Sequence, residues 1–475
     1  MNKLLIVVLV VLALVLLATP PVLGTVTETQ VRNRVEAIEQ GGVLSAAVRS
    51  YDRGWFRSKA KIELTFAPTY AAQLRATGAL PGDPTGALPG TVVAVDLAHG
   101  PVAVLDGVSF GWSRMIARPD PEDPDVIALQ EQLGVPYLFE FRGRTGFSGG
   151  VSFDAIVPSV DLPIEQVAAQ LKFSGAFING HYKRRALEAD AHVESLELAA
   201  PLGSFLMRDL QVNIDNELIS DYLMPGQAGF TIEQILVVDA TAGAQPMFEA
   251  NQLRVGSKMT VNDEATLADM SVDYRLRKLR VADTTVDDAV LALALRNLDV
   301  AALEAYASTV RDLTASGNIE DSGALFAAVA PQIERALAAG PVLSLDPVGF
   351  TLDGEPLTGK VEVATNTARL PPAGSASFDN PLLLIGLVDS TAELTVSKPL
   401  ALRLAKTVVA TQLASSGQVP PDQVEYMAEA QSNLMIGMLA GQGMLVEDGD
   451  AYHTAVSFVD GALSVNGNPL PFGLP

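Results

Sequence analysis

The sequence predicts an α+β fold that is strongly β-rich: long, curved, mostly antiparallel sheets with helices packed on them, preceded by one N-terminal transmembrane helix. Three observations carry this expectation. Short alternating apolar segments follow one another from the fifties to the 270s with no long helical run between them, which argues for hairpins and meanders and against a doubly wound nucleotide fold. From Val286 onward strands alternate with amphipathic helical runs. The chain also begins with a long apolar run, and these changes of texture divide it into residues 1–24, 25–285 and 286–475.

Met1-Asn2-Lys3 is followed by LLIVVLVVLALVLLATPPVLG, with no charge between Leu4 and Gly24. The 16 residues from Leu4 to Thr19 reach about 24 Å as a helix, and counting from Met1 brings this near the hydrocarbon thickness of about 30 Å. Pro20-Pro21 then ends the helix. Val22 and Gly24 offer a signal-cleavage pattern, but the length of the run and the two prolines favour an uncleaved anchor through residues 4–23. Lys3 and the α-amine leave the N-terminus cytoplasmic, so the bulk of the chain is expected to be exported.

After the anchor, Val31, Val35, Ile38, Leu44 and Val48 among charges predict a short helix within 28–50 and a turn at Gly41-Gly42. In SYDRGWFRSKAKIELTF, period-two alternation starts at Phe56, and Gly54 permits a bend or bulge ahead of the strand. Further strands are predicted over 91–96, 102–110, 137–141, 151–157, 194–198, 210–214, 234–238, 252–261 and 270–279. Residues 79–90 and 118–125 are Pro-rich loops, the prolines of the second holding it extended. Val286 to Leu298 is apolar at both odd and even positions, which predicts a strand buried on both sides. Asp299 caps a helix over 300–312, and a second helix covers 323–339. Strands over 342–352 and 359–364 meet at Asp353-Gly354, 393–396 is a strand, and helices cover 400–414 and 422–439. The second of these carries Met427, Leu434, Met435 and Met438, a soft stripe suited to core packing or to an apolar groove. A hairpin at Asp460-Gly461 closes the chain.

With 32 Lys and Arg against 55 Asp and Glu the formal charge is −23, the wrong sign for neutralising phosphates, so nucleic acid is excluded as a partner class. Cysteine is absent, which removes disulfides, thiol nucleophiles and zinc-thiolate sites. The four histidines, His99, His181, His192 and His453, have no metal-ligand spacing, and no nucleophile elbow or phosphate loop is present. No catalytic residue, metal or cofactor is expected. The abundant carboxylates keep a carboxylate-dependent hydrolase as a distant alternative. Lys183-Arg184-Arg185 stands out in an acidic chain as a solvated hairpin face or a contact for anionic headgroups.

Several motifs in order, Tyr51-x-Arg53-Gly54-x-Phe56-x-Ser58, His99-Gly100-Pro101, the Leu295-x-Asn297-Leu298-Asp299 junction, Pro341-Val342 and the ending from Asp460 to Gly467, resemble the YdgA-like family of bacterial envelope proteins. Ala98 stands where an acidic residue is common in that family, and the Pro-rich loop at 119–124 is an insertion relative to its pattern. The resemblance implies an inner-membrane anchored, single-pass periplasmic protein of unknown activity, with the motif residues playing structural parts. The strand-to-helix junction is also similar to junctions in AsmA-like envelope proteins, whose sheets shield lipid.

Two functional expectations follow. One is a non-enzymatic envelope protein that binds lipid or another apolar ligand along a curved sheet. The other is a structural or assembly module that recognises protein partners or forms a homo-oligomer.

Overall fold

The computed structural model describes residues 44–67, 90–165, 168–220, 223–240, 246–315, 322–372, 385–416 and 419–470. The expected anchor at 4–23, the turn at Gly41-Gly42 and most of the 79–90 loop lie outside the described residues. The chain divides into two compact units, one comprising Met1–Pro201 and Arg208–Asp215, the other Leu202–Met207 and Asn216–Pro475.

Unit 1 holds β1 (Leu44–Arg53), β2 (Arg57–Phe66), β3 (Gly90–His99), β4 (Val102–Val104), β5 (Val108–Phe110), β6 (Ser113–Pro119), α1 (Pro124–Leu133), β7 (Glu140–Thr145), β8 (Val151–Val157), β9 (Val160–Ile164), β10 (Ala169–Phe173), β11 (Ala176–Lys183) and β12 (Ala186–Ala200). Its main sheet is antiparallel throughout, in the order β1-β2-β3-β6-β7-β8-β11-β12. β10 joins the far part of β12 and carries β9 on its other side. The core is the face bearing Ala60, Val93, Val95 and Leu97, against which Tyr51, Ile62, Met115 and Phe139 pack.

Five expectations for this unit are corrected. The residues from Leu44 do not continue a helix; they form β1, whose register against β2 shifts between Val48 and Ser50 and so hides the period of two. Gly54 consequently sits in a hairpin turn between two strands, not at a bend in front of one. The stretch from Val102 to Phe110 is a hairpin, β4 paired with β5, because Asp106 and Gly107 both take positive φ within the three-residue loop between Val104 and Val108 and reverse the chain there. The Pro-rich loop is partly helix: Pro119 ends β6, the Asp123 side chain accepts from the Asp125 N–H, and Pro124 opens α1, where its missing N–H costs nothing. The strand placed at 137–141 begins at Glu140.

Unit 2 takes in part of β13 (Gly203–Glu217), then β14 (Gly226–Asp239), β15 (Pro246–Val261), β16 (Leu267–Val281), β17 (Thr284–Asp299), α2 (Val300–Ala315), α3 (Ser322–Ala338), β18 (Val342–Leu352), β19 (Glu355–Thr365), β20 (Val388–Ser397), α4 (Lys398–Ser416), α5 (Pro421–Gly441), β21 (Val446–Asp448), β22 (Ala451–Val459), β23 (Ala462–Val465) and β24 (Asn468–Leu470). β14 to β20 form an antiparallel meander of consecutive neighbours, continued by β22, which pairs with both β21 and β23, and by β24 on β23. β13 to β16 run 14 to 16 residues, longer than the five to ten read for them from sequence. Positive-φ residues inside β13, β15 and β17, Asp209, Gln252, Asp288 and Asn297, interrupt the alternation, and the segments at 210–214 and 252–261 begin at such points.

Two helix pairs insert into the meander, α2-α3 between β17 and β18 and α4-α5 between β20 and β22. Asp299 caps α2 as expected, its Oδ1 accepting from the Ala302 N–H at 2.7 Å and from Arg335 Nε at 2.8 Å. Leu400, fully buried at the start of α4, packs with Val396, Phe350, Leu357, Ile436 and Tyr452.

Candidate functional site

The motif residues of unit 1 meet at one end of its sheet. In the β1–β2 turn the Gly54 N–H donates to the Arg57 carbonyl at 2.9 Å, and a Cβ on Gly54 would lie 2.4 Å from that oxygen. Only glycine fits so close to backbone. Registers Tyr51↔Ala60, Arg53↔Ser58 and Ser58↔Leu97 place Tyr51, Arg53, Ser58 and, two residues on from Leu97, His99 on one face. The His99 N–H donates to the Phe56 carbonyl at 3.0 Å and its Nε2–H to the Gly54 carbonyl at 3.3 Å, so His99 pins the turn to the end of β3. His99 is almost fully buried. Burial pushes its pKa below the ordinary histidine value, outweighing the hydrogen bonds to the Gly54 and Trp55 carbonyls, so the ring is neutral at pH 7. Gly100 and Pro101 carry the chain onward: the Gly100 N–H reaches the Trp112 carbonyl at 3.1 Å and the Pro101 carbonyl accepts from Gly111 at 3.3 Å.

The buried carboxylates of this unit are held in ion pairs. Glu140 is 0% exposed and accepts from Arg118 Nε on one oxygen and from Arg142 Nε on the other. Asp120, buried at the end of β6, pairs with Lys61 Nζ at 2.7 Å. Burial works against its charge, but the hydrogen bonds from Lys61 and from the Glu122 N–H prevail and lower its pKa. Among the described residues no group of three or more His, Asp and Glu is placed to hold a metal ion.

Lys183-Arg184-Arg185 forms the β11–β12 turn, closed by the pair Lys183↔Ala186, with Arg184 and Arg185 exposed at φ 50° and 75°. Asn297 and Asp299 lie in unit 2 and knit strand to helices. The Asn297 N–H donates to Asp269 Oδ1 at 2.9 Å and its Nδ2 to the Gly340 carbonyl at 3.3 Å.

The methionine stripe lies partly in solvent. α5 buries Ala428 and Ser432, with Ile436 one turn further on, and this stripe of small side chains lets it approach α4. Leu434 is 72% exposed and Met438 also faces solvent, while Met427 and Met435 are half-buried.

A surface that sequence reasoning missed lies on the unit 2 sheet. Phe230, Val255, Tyr274, Leu291 and Val348 stand opposite one another across five strands. Val272, Leu293, Leu345 and Val361 form the next row, and Met259, Met270, Leu295, Leu343 and Val363 the one after. Not one of these side chains is buried; all are half-buried or exposed. The reverse face carries Arg254, Lys258, Asp273, Arg275, Lys360 and Glu362. β17 is therefore not enclosed on both sides. One of its faces bears Leu291, Leu293 and Leu295, the other the smaller Val290, Ala292 and Ala294, and none of them is buried.

The fold and these surfaces define a β-rich, antiparallel protein of two compact units, one of which has a sheet face of apolar side chains that the described residues leave half-buried or exposed. The chain belongs to a bacterial family: residues 1–472 match the model described as "Bacterial protein of unknown function (DUF945)". No curated protein and no solved structure matches the chain. Among the described residues no helix is long and apolar enough to cross a membrane.

Proposed function

We propose that the protein is a non-enzymatic, single-pass inner-membrane-anchored envelope protein with its bulk in the periplasm, binding lipid or another apolar ligand along the open face of the unit 2 sheet. The YdgA-like resemblance and the apolar run at 4–23 support the location. The observation that carries the reading is the three adjoining rows of apolar side chains, none of which the described residues bury. A patch of this kind marks an interaction site. Five strands at about 4.8 Å spacing give the two five-residue rows about 19 Å, enough to lay down one acyl layer, about half of the roughly 30 Å hydrocarbon core of a bilayer.

The test compares lipid bound to the full chain and to a Leu293→Arg, Leu345→Arg variant by mass spectrometry after delipidating purification. Both positions are half-buried, and far-ultraviolet circular dichroism checks that the variant keeps its strands. The reading expects a ligand released from the parent protein and lost from the variant; equal lipid content in both rejects it.

A second reading, a module for protein partners or self-association, draws on the α4-α5 pair, where Val408, Tyr426, Leu434 and Met438 all stand in solvent. Sedimentation that depends on concentration in the parent and not in a Leu434→Gln, Met438→Gln variant favours it.

A further inference from the structure

One end of the unit 1 sheet gathers turns from four places in the sequence. Arg53↔Ser58, Thr145↔Val151 and Lys183↔Ala186 are the last pairs of their hairpins, and His99↔Ser113 is the last pair before the β4–β5 ribbon. The lateral pairs Arg57↔Ala98, Ser113↔Thr145 and Val151↔Tyr182 put all four at the same end.

The ribbon over this end is the wrong way round for a protein in water. Its smallest side chains, Ala103 and Ser109, are buried, whereas Val102, Val104, Val108 and Phe110 point outward, Phe110 at 69% exposure. Arg57 holds it in place by donating to the Val104 carbonyl at 2.6 Å. Beside it, Trp55 is 58% exposed in the β1–β2 turn, and Trp112 stands edge to face with the exposed Phe147 at 5.3 Å. Trp112 also donates from its N–H to the Thr145 carbonyl at 2.8 Å and from Nε1 to the Phe147 carbonyl at 3.1 Å, so this aromatic pair is held rigidly. Residues 52–59, 99–115, 142–152 and 180–188, which make up the rim, carry nine Lys and Arg against three Asp and Glu, in a chain whose net charge is −23.

We propose that this rim docks on an anionic phospholipid surface, its tryptophans and phenylalanines entering the boundary between headgroups and acyl chains and its cations meeting the phosphates. Tryptophan and tyrosine favour that boundary because their rings have an apolar body and a polar edge, and clustered Lys and Arg beside them bind anionic leaflets. The side chains project from separate turns, which suits a fluid surface better than a shaped protein partner. The chain can reach. β1 starts at the opposite end of the strand, about 33 Å from the rim, and the 19 residues at 25–43 can span at most about 65 Å from a segment embedded at 4–23. This proposal concerns a different surface from the lipid-binding face of unit 2 and stands without it.

Trp55 and Trp112 are the only two tryptophans of the chain, so its tryptophan fluorescence reads this rim alone. The full chain is reconstituted into vesicles of zwitterionic phospholipid with and without an anionic phospholipid, each containing acyl-brominated lipid as quencher. The proposal expects a blue-shifted emission quenched by bromolipid in anionic vesicles, weakened by high salt. Replacing Lys183, Arg184 and Arg185 by Gln should lower the rim's surface affinity about fivefold per charge. Phe110→Ser with Phe147→Ser, both exposed and without a part in the core, should reduce the quenching with the far-ultraviolet circular dichroism unchanged. Equal quenching in anionic and zwitterionic vesicles, or emission that stays water-exposed in both, overturns it.

Discussion

Removing the two arginines that flank Glu140 should destabilise unit 1 more than removing Glu140 itself. Glu140 is wholly buried, whereas the Arg118 and Arg142 side chains keep 46% and 39% of their surface in water. In Glu140→Met the freed guanidinium groups swing into solvent, so the loss is that of two charge-assisted hydrogen bonds, about 2 kcal/mol after the regained solvation. In Arg118→Met with Arg142→Met the carboxylate stays behind in a dry site without a partner, a cost of about 4 kcal/mol. For a unit of this size, 1 kcal/mol shifts the midpoint by about 3 °C, which gives losses of about 6 °C and about 12 °C. Tryptophan emission is the assay, because Trp55 and Trp112 both belong to unit 1 and a thermal or urea melt followed at their wavelengths ignores unit 2. If the glutamate substitution proves the more damaging, the argument from unequal burial is wrong.

Two further outcomes can be read in the same melt. Gly54→Val forces a Cβ against the Arg57 carbonyl oxygen, which is backbone and cannot step aside, and should cost about 2 kcal/mol; an unchanged midpoint would falsify the hairpin account. His99 has a lowered pKa in the folded chain, so protons bind the unfolded chain more readily below about pH 6.5. The stability of unit 1 should therefore be fully present above that pH and fall as pH drops through it toward the depressed folded value. His99→Asn should flatten the slope between about pH 6.5 and pH 5, above the range where ordinary carboxylates titrate.

What could be read in the sequence was set by distance along the chain. Hairpins with Asp353-Gly354 and Asp460-Gly461 at their turns were legible because glycine next to aspartate fixes turn and register together. Helices α2 to α5 showed through their periodicity, and Asp299 through its place before α2. The long strands of unit 2 were read only in part, since positive-φ residues such as Asp209 and Gln252 shift the alternation from one face to the other. Alternation also assigns side chains to two faces without saying which meets water. That is why the β4–β5 ribbon, apolar side outward, and the open face of β14 to β19 were hidden. α5 misled for a related reason: the methionines are the larger apolar residues, but close approach of two helices selects Ala428 and Ser432. The motif residues Tyr51 to Ser58 and His99 were expected to be structural, and pairing across more than forty residues was needed to show what His99 holds.

The β11–β12 turn bears on the order in which the sheet forms. Arg184 and Arg185 both occupy left-handed backbone conformations, which cost an ordinary L-residue about 1–2 kcal/mol each and which asparagine and glycine adopt far more readily. Where Asp-Gly makes the turn, as at 353–354 and 460–461, the chain reverses spontaneously and the strands zip from the turn outward. At 184–185 the reversal is uphill, so β11 and β12 have little reason to meet until β8 is present to pair with β11 along its other edge. The Asp-Gly hairpins of unit 2 can nucleate locally within microseconds, while the basic corner of unit 1 is completed only after its neighbours, as a late closing step of a non-local sheet.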